Sequence, residues 1–365
     1  MKIFITYASA GSGHRRAAEA IYNYLKANYE ELDIKIIDVL DYANPLFKNL
    51  YCAGYAFIIT KIPAFWTVLY WLTYNQWLRP LNKFINHLAS RLNAKKFEQL
   101  LIAANPDIIV ATHFLPIGIA GFLKKRHKIN SRLICAVTDF DIHPFWVVPE
   151  IEQYVVGLSV TAAQLNSFGI SNTKIKIMGI PVGGEFSENI EKEGIYKKLN
   201  LEKNKFTVLI LTAAFGFGPI EEIVNLLYGQ IQILVVCGRN TGLYRRLTAK
   251  KYNSVRIFGL VDNIEELMAA AHLVITKPGG LTTAEGLAME LPMIFFRAVY
   301  GQETKNAKIL ENYGVGINTK NLIDIREAVL NYKNNPQRLN AVKEKIRKIK
   351  KPNATREICA WLTSM

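Results

Sequence analysis

Short apolar runs of the β type alternate with stretches of helical spacing along the chain, and this alternation restricts the possible folds most strongly. In the first half the runs occupy residues 2–7, 34–39, 107–112, 132–138 and 153–159. In the second half they occupy residues 206–212, 231–237, 255–258, 272–276 and 292–296. Strands that alternate with helices form parallel sheets covered by helices on both faces. The sequence therefore predicts an α/β protein.

A break separates the two series of strands. The Gly- and Pro-containing segment 179–184 leads into the charged stretch 188–205, which we interpret as a surface linker with a short helix. A chain of 365 residues can bury two cores of ordinary size. We therefore predict one Rossmann-like domain over residues 1–184, a second over 185–342, and a basic helical tail over 343–365 that can cross back to the first domain.

Two open parallel sheets in tandem suggest how the domains are used. Such sheets bind ligands at the carboxyl ends of their strands. We therefore expect the two ligand-binding edges to face each other across a cleft, with a donor molecule in one domain and an acceptor in the other.

The charge balance restricts the partners. Lysine and arginine number 45 against 30 aspartates and glutamates, which gives a formal net charge of +15. Such an excess attracts polyanions, namely nucleic acids, nucleotide-bearing substrates or an anionic membrane leaflet. Charge alone does not choose among these three partners.

Cysteine usage and the N-terminal residues predict a reducing compartment. The four cysteines are far apart and form no Cys-x-x-Cys pair; they are Cys52, Cys135, Cys237 and Cys359. We expect reduced core residues in place of disulfides or a structural metal site. The chain opens on an apolar run that lacks the basic region and cleavage site of a secretory signal, so we expect a cytoplasmic protein.

A glycine turn follows the first predicted strand. The segment Gly11-Ser12-Gly13-His14 precedes a helical stretch with an apolar face of Ala17, Ala18, Ile21 and Leu25. Glycines let the backbone approach a ligand closely, and His14 falls in the first helical turn, where free N–H groups favour anionic oxygen. A simple βα turn with a surface histidine explains these residues equally well.

A sharper motif lies in the second half. The predicted strand 272–276 ends in Lys277-Pro278-Gly279-Gly280, and the helix that opens there carries Glu285 about one turn inside. The amides of such a turn can meet a diphosphate, while a carboxylate at that depth accepts both hydroxyls of a ribose. A solvated helix glutamate is the alternative, but it leaves the paired glycines and Thr282-Thr283 unexplained.

With these motifs the chain resembles the lipid-directed GT-B glycosyltransferases, which include monogalactosyldiacylglycerol synthases and the processive diacylglycerol glucosyltransferases of bacteria. It is similar, more distantly, to the N-acetylglucosaminyltransferase that completes the lipid-linked peptidoglycan precursor. The matching stretches run in order along nearly the whole chain: Gly11-Ser12-Gly13-His14, Val137-Thr138-Asp139 with His143-Pro144 and Trp146, Gly216-Phe217-Gly218-Pro219-Ile220-Glu221, Cys237-Gly238-Arg239-Asn240, the turn from Pro278 to Glu285, and Gly301-Gln302-Glu303 with Asn306.

For the first domain the resemblance implies acceptor chemistry. It places His14, beside Gly13, next to the acceptor hydroxyl as the general base, and histidine suits that role because its reference pKa is near neutrality. His113 and His143 lie at predicted strand ends facing the cleft, and His143 is expected to contact the acceptor. A satisfied structural histidine is the alternative for each, and it is the favoured interpretation of His113. Asp139 and Asp141 spell Asp-x-Asp, the metal–nucleotide signature of a different glycosyltransferase fold. We interpret that spacing as coincidence and keep Asp139 as the reserve candidate for the base.

For the second domain the resemblance implies binding of a UDP-hexose, which is a substrate, with no cofactor and no metal. Glu285 holds the ribose, and Gln302 and Glu303 meet the sugar hydroxyls. The diphosphate contacts are expected from Phe215, Gly216, Gly218, Arg239, Lys277, Gly279, Gly280, Leu281 and Thr282. The family often has a third glycine where Ser12 stands, and its glycine-rich diphosphate loop reads here Thr212-Ala213-Ala214-Phe215-Gly216.

An aromatic and basic segment predicts a membrane surface as partner. Residues 42–97 contain no aspartate or glutamate. They carry cationic side chains such as Lys61 and Arg79 among aromatic ones that include Trp66, Trp71 and Trp77. The longest uncharged stretch, 62–78, is too short and polar for a bilayer span, so we expect an interfacial helix pair that draws diacylglycerol from the leaflet. The alternative is that these aromatics fill the core of the first domain.

The resemblance thus implies an inverting transferase that moves a hexose from a UDP-sugar to diacylglycerol, or to a glycosyldiacylglycerol, and we expect it at the cytoplasmic face of the membrane. A UDP-sugar epimerase of the same fold is one alternative, and the acid-free aromatic segment has no role in it. A basic nucleic-acid-binding or lipid-binding protein without catalysis is another. Nucleic acid is not an expected partner, because it leaves the turn from Pro278 to Glu285 without a role.

Overall fold

The computed structural model describes residues 1–9, 11–74, 94–187, 190–212, 216 and 218–365. Within these ranges the chain divides into two compact units. Unit 1 comprises Met1–Gly184, Val299–Lys305 and Asn353–Met365, and unit 2 comprises Glu185–Ala298 and Asn306–Pro352. Each unit is built on a six-stranded sheet in which every pair of neighbouring strands is parallel. The predicted α/β class is confirmed.

The sheet of unit 1 has the strand order β2-β1-β3-β4-β5-β6. Its strands are β1 Lys2–Tyr7, β2 Asp33–Asp38, β3 Ile108–Ala111, β4 Arg132–Ala136, β5 Gln153–Val156 and β6 Ile175–Ile177. All four residues of β3 are buried, as expected for a strand with helices on both faces. The direction in which strands are added reverses between β1 and β3, and open α/β sheets bind ligands at such a point.

Helices cover both faces of this sheet, and alternate residues of β1 serve the two faces because side chains of a strand alternate in direction. The helices are α1 Ser12–Asn28, α2 Pro45–Lys61, α3 Pro63–Tyr74, α4 Lys95–Ala104, α5 Phe114–Lys125, α6 Ser159–Ser167 and, at the end of the chain, α15 Ala354–Thr363. Ile3 and Ile5 pack in one core cluster with α1 and α15 residues. Phe4 packs in the other cluster with α4 and α5 residues.

The sheet of unit 2 has the strand order β12-β11-β10-β7-β8-β9. Its strands are β7 Thr207–Leu211, β8 Gln232–Val236, β9 Val255–Phe258, β10 Leu273–Thr276, β11 Met293–Phe295 and β12 Gly316–Asn318. Its helices are α7 Lys192–Lys198, α8 Ile220–Leu227, α9 Thr241–Ala249, α10 Ile264–Ala270, α11 Gly280–Ala288, α12 Gln302–Asn312, α13 Leu322–Asn334 and α14 Pro336–Ile349, of which α12 begins in the segment that belongs to unit 1. The reversal point of this sheet lies between β7 and β10.

The predicted strands appear at the expected places: β1 and β9 have the expected bounds, and the others begin or end within three residues of them. The prediction missed β6 and β12, which are edge strands of three residues with a lysine, an asparagine or a glycine among them. The basic tail is helical on both sides of Pro352, in α14 and α15. Asn353–Met365 belongs to unit 1, where Ile358 and Leu362 of α15 complete the core beneath α1.

Candidate functional site

His14 lies at the reversal point of the first sheet. It stands in the first turn of α1, directly after β1, while Thr112 follows the neighbouring strand β3. The Nδ1 atom of His14 is 2.8 Å from the backbone oxygen of Thr112 and 2.8 Å from the hydroxyl of Thr138. The Thr112 hydroxyl in turn donates to the backbone oxygen of His14 at 2.8 Å. Residues that follow β1, β3 and β4 therefore hold one imidazole ring in place.

These contacts determine the tautomer of His14. A carbonyl oxygen can only accept, so Nδ1 carries the hydrogen that Thr112 receives. The lone pair of the neutral ring is then on Nε2. Burial lowers the pKa of His14 to about 4, although the Thr112 carbonyl opposes part of that shift. The ring is neutral at pH 7 and presents Nε2 as a proton acceptor, as a general base requires.

His113 packs against His14, but its side chain has a structural role. Its ring centroid is 4.6 Å from that of His14 in an edge-to-face arrangement. Its Nδ1 accepts a hydrogen bond from the backbone N–H of Leu115 and thereby caps the N-terminus of α5. The side chain is 2 % exposed, and burial lowers its pKa well below the ordinary value. These contacts agree with its interpretation as a structural histidine.

The other polar residues of this edge are also buried. Asp139 and Asp141 follow β4 and are each under 9 % exposed. Asp141 accepts a hydrogen bond from Gln164 and pairs with Lys305, whose ammonium lies 3.3 Å away. Burial nevertheless raises the pKa of Asp141 above its usual range. A role for Asp139 as reserve base stays a prediction.

His143 connects this edge to helix α3. Its Nδ1 accepts from the backbone N–H of Phe145, so Nε2 carries the hydrogen and donates to the hydroxyl of Thr73 on α3 at 3.3 Å. Burial lowers its pKa to about 3, and the charge of Lys305 acts in the same direction. Both ring nitrogens are thus used inside unit 1. The expectation that His143 contacts the acceptor stays a prediction.

The segment Val299–Lys305 belongs to unit 1 and carries the two residues expected to meet the sugar. The Glu303 carboxylate accepts from the backbone N–H of Val299 at 2.7 Å. The Thr304 hydroxyl accepts from the N–H of Gly301 and donates to its carbonyl. Gln302, the first residue of α12, is half-buried. The side chains of the turn therefore shape its own backbone.

The reversal point of the second sheet is formed largely by backbone. The turn after β10 leads into α11, whose N-cap is Gly279, and no side chain of the described residues caps this helix. The N–H groups of the first helical turn, at Gly280, Leu281 and Thr282, have no intrahelical acceptor, and the helix dipole favours an anion there. The amide of Asn306 donates to the Pro278 carbonyl at 3.1 Å and holds the turn in place.

Glu285 lies one turn inside α11 with 2 % of its surface exposed. Two threonine hydroxyls in this unit, those of Thr212 after β7 and Thr283 in α11, are buried without a hydrogen-bond partner among the described residues. Lys277 is half-buried and Arg239 is exposed. This edge thus combines the N–H groups of a helix start, two threonine hydroxyls, and cationic side chains on the loops after β8 and β10, which suit a diphosphate better than acid–base chemistry.

The loop after β7 is held close to the end of β8. Gly216 has a φ of +60°, and a Cβ there would overlap the carbonyl oxygen of Cys237. The amide of Asn240 donates to the Gly216 carbonyl at 3.1 Å. Gly218 has a φ of +134° and packs against Phe296. Phe215 lies outside the described residues.

Helix α3 exposes a continuous apolar surface, which we call the outer face of α3. Phe65, Val68 and Trp71 are 53 %, 55 % and 58 % exposed, and Leu69 and Leu72 add to them. Trp66 is half-buried. Trp77, Arg79 and the side chain of Lys61 lie outside the described residues. In the part of the chain that the structure describes, no helix has the length and apolar character to cross a bilayer.

Sequence reasoning missed several residues of this site. Thr112 and Thr138, which orient His14, give a weak signal because threonine is common at strand ends. The Asp141–Lys305 pair joins residues 164 positions apart, and nothing in the sequence links them. Among the described residues, no group of three or more histidines, cysteines or carboxylates is placed to hold a metal ion.

Comparisons with known proteins identify the family and the fold. Residues 14–182 match the family model of monogalactosyldiacylglycerol (MGDG) synthase, and residues 207–358 match the glycosyltransferase family 28 C-terminal domain. A processive diacylglycerol β-glucosyltransferase of Staphylococcus haemolyticus is 32 % identical over 374 residues, covering 100 % of this chain and 93 % of the relative. The chain belongs to the diacylglycerol glycosyltransferase family of this relative. The corresponding protein of Bacillus pumilus is 30 % identical, with 95 % and 91 % covered.

Solved structures support the fold of this diacylglycerol glycosyltransferase family member. MurG of Acinetobacter baumannii has a TM-score of 0.59 at 14 % identity, covering 100 % of this chain and 99 % of MurG. The putative UDP-N-acetylglucosamine 2-epimerase of Listeria monocytogenes has a TM-score of 0.62 at 12 % identity, covering 100 % of this chain and 96 % of the epimerase chain. The predicted GT-B fold and family are confirmed. The fold alone does not separate transferase from epimerase, whereas the sequence relatives are transferases.

Proposed function

We propose that this protein transfers a hexose, glucose in the first instance, from a UDP-sugar to diacylglycerol or a glycosyldiacylglycerol with inversion at the anomeric carbon. The observation that carries the proposal is the fixed tautomer of His14, whose neutral ring carries its lone pair on Nε2 at the reversal point of the first sheet. Relatives over the full length of the chain are named processive diacylglycerol β-glucosyltransferases.

His14 supplies the base in a single displacement. The acceptor hydroxyl oxygen forms a bond to the anomeric carbon, and its proton passes to Nε2 of His14. The bond between the anomeric carbon and the diphosphate oxygen breaks, and its electron pair leaves with UDP. The Thr112 carbonyl, which accepts from Nδ1, stabilises the positive charge that the ring then carries. No other proton transfer is needed for the chemical step.

The leaving UDP is held by unit 2. Negative charge develops on the diphosphate as the bond breaks, and the N–H groups at the start of α11 stabilise it. Lys277 and Arg239 add positive charge near this turn. Glu285 accepts the hydroxyls of the ribose, and Gln302 and Glu303 contact the hexose. Metal and cofactor have no part in this proposal.

The acceptor is reached at a membrane surface. The outer face of α3 exposes Phe65, Val68 and Trp71, and aromatic side chains favour the headgroup level of a bilayer. The net charge of +15 is attracted by an anionic leaflet. We place the enzyme as a peripheral or monotopic protein on the cytoplasmic face of the membrane, which supplies the diacylglycerol.

The test is transfer of label from UDP-glucose, UDP-galactose and UDP-N-acetylglucosamine to diacylglycerol in anionic vesicles, followed by extraction of the lipid. We expect labelled glycolipid with at least one donor, with glucose the fastest. Conversion of a UDP-sugar into its epimer without labelled lipid would instead establish the epimerase.

Trp71→Gln should weaken vesicle binding by roughly 3- to 10-fold, since it removes part of one aromatic anchor. Unchanged vesicle binding in that variant contradicts the membrane role of the outer face.

A further inference from the structure

Helix α3 has a second face, opposite in character to the outer face. Trp66, Tyr70 and Tyr74 are four residues apart and so form one stripe along the helix. We call these residues the inner stripe of α3. All three contact the segment Val299–Lys305, which carries Gln302 and Glu303. The same helix that exposes apolar side chains to solvent therefore touches the proposed sugar-binding turn within unit 1.

Trp66 and Tyr70 of the inner stripe contact two consecutive residues of the turn, Tyr300 and Gly301. The indole N–H of Trp66 donates to the Tyr300 carbonyl at 2.9 Å. The ring of Tyr70 packs edge-to-face on Tyr300, with centroids 6.4 Å apart. Gly301 has a φ of +103°, and a Cβ there would come 2.6 Å from the Tyr70 ring. Only glycine fits this approach without displacing the ring.

Lys305 closes the end of the same turn. Its ammonium lies 3.0 Å from the centroid of the Tyr74 ring and 3.3 Å from the Asp141 carboxylate. The Nζ atom is buried and has no aligned hydrogen-bond acceptor among the described residues, so the ring and the carboxylate are its compensation. Gln164 fixes the Asp141 side chain from the other side, at 2.9 Å. A buried charge held by so few partners depends strongly on each of them.

We propose that Lys305 is a positioning residue: held by Asp141 and the inner stripe of α3, it sets the geometry of the Gln302–Glu303 turn and thereby the affinity for the hexose part of the donor. Lys305 does not touch the substrate. It acts through α12, since Gln302 and Lys305 are three residues apart and lie on the same side of the first helical turn. The proposal rests on the proposed function in that the hexose is the ligand of this turn.

The test separates the hexose from the rest of the nucleotide. Binding of UDP-glucose and of UDP to the full chain is measured by calorimetry without acceptor or lipid. Lys305→Met should weaken UDP-glucose binding by roughly 3- to 30-fold, the range expected when one partner of a contacting pair is lost. Binding of UDP should change by less than about twofold, because the turn meets the hexose only. Lys305→Arg keeps the charge and should restore most of the affinity.

Three further variants keep the proposal falsifiable: Lys308→Met, Asp141→Asn alone, and Asp141→Asn combined with Lys305→Met. Lys308→Met on the exposed side of the same helix is the matched control and should bind both ligands as the wild type does. Asp141→Asn combined with Lys305→Met should weaken UDP-glucose binding by less than the product of the single effects, because both act on one pair. Equal losses for UDP and UDP-glucose, or multiplicative single effects, overturn the positioning role. Because no transfer is measured, failure here is distinct from a failure to glycosylate diacylglycerol.

Discussion

The carboxyl edges of the two sheets differ in the groups that they present. The edge of unit 1 is made of side chains held by hydrogen bonds, with His14 fixed by Thr112 and Thr138. The edge of unit 2 is made mainly of backbone, with glycines at the turn and an uncapped helix start at Gly279. A proton acceptor needs one ring in one tautomer, whereas a diphosphate needs several N–H groups close together. Similar sheets thus serve different chemistry through their loops.

The largest effect is expected from the side-chain edge. His14→Ala removes the proposed base and should lower kcat by about 10² to 10⁴, the usual contribution of general acid–base catalysis. UDP binding should persist, because the uridine diphosphate is assigned to unit 2. The measurement is steady-state transfer to diacylglycerol together with UDP calorimetry.

The control for this variant is His127→Asn. His127 is exposed and has a φ of +53°, which asparagine tolerates. This change should leave kcat as it is. Equal turnover by His14→Ala and the control would remove His14 from catalysis, and loss of UDP binding together with turnover would point to a structural role instead.

Much of the framework behind this comparison can be predicted from the sequence. Buried parallel strands are apolar runs, and the glycine turns at their ends are recognised from a few neighbouring residues. The local sequence therefore predicts β1 with His14 after it, and β10 with the turn that follows. The partners of His14 are less visible, because Thr112 and Thr138 are 98 and 124 residues away from it. Sequence spacing carries no information about which strand ends become neighbours.

The segment Val299–Lys305 shows the same limit more clearly. The motif Gly301-Gln302-Glu303 can be recognised by resemblance, but its packing on Trp66, Tyr70 and Tyr74 cannot. The aromatic side chains of α3 belong either to the outer face or to the inner stripe, and composition does not distinguish the two. Helical spacing assigns each residue to one of them only when the bounds of the helix and the segment it packs on are known.

An intermediate effect is expected from the backbone edge. Gly279 has an extended backbone with φ −72°, and a Cβ there would meet nothing within 4 Å. Gly279→Asp therefore fits sterically and supplies an N-cap, which stabilises a helix by about a few tenths of a kcal/mol relative to glycine. Its carboxylate would occupy the diphosphate position and should weaken UDP binding by roughly 10- to 100-fold through like-charge repulsion.

Gly279→Asn separates charge from capping. Asparagine caps as aspartate does but carries no charge, so UDP binding should fall by less than in the aspartate variant, while thermal stability should be equal or slightly higher in both. Calorimetry with UDP and a thermal melt measure the two quantities. Equal UDP affinity in Gly279→Asp and wild type would show that the start of α11 does not hold the diphosphate.

The smallest effect is a pH dependence of stability, which we expect to come mainly from the three buried histidines at the edge of unit 1. Burial lowers the pKa of His14 to about 4, of His143 to about 3, and of His113 well below its ordinary value, whereas unit 2 has one such residue, His272. In the unfolded chain these histidines bind protons below about pH 6.5, but in the folded chain they do not until far lower pH. Stability is therefore full above about pH 6.5 and is lost as the pH falls toward 4.

His113→Asn tests this dependence, because asparagine can still cap α5 but does not titrate. The slope of unfolding free energy against pH between 4.5 and 6 should fall by about 1.4 kcal/mol per pH unit, the contribution of one histidine protonated only in the unfolded chain. Urea unfolding at a series of pH values measures it, with His127→Asn as the control for a histidine that folding leaves exposed. An unchanged slope would mean that His113 is protonated in the folded state as well. Burial at the edge of unit 1 would then not keep this imidazole neutral, which contradicts the prediction.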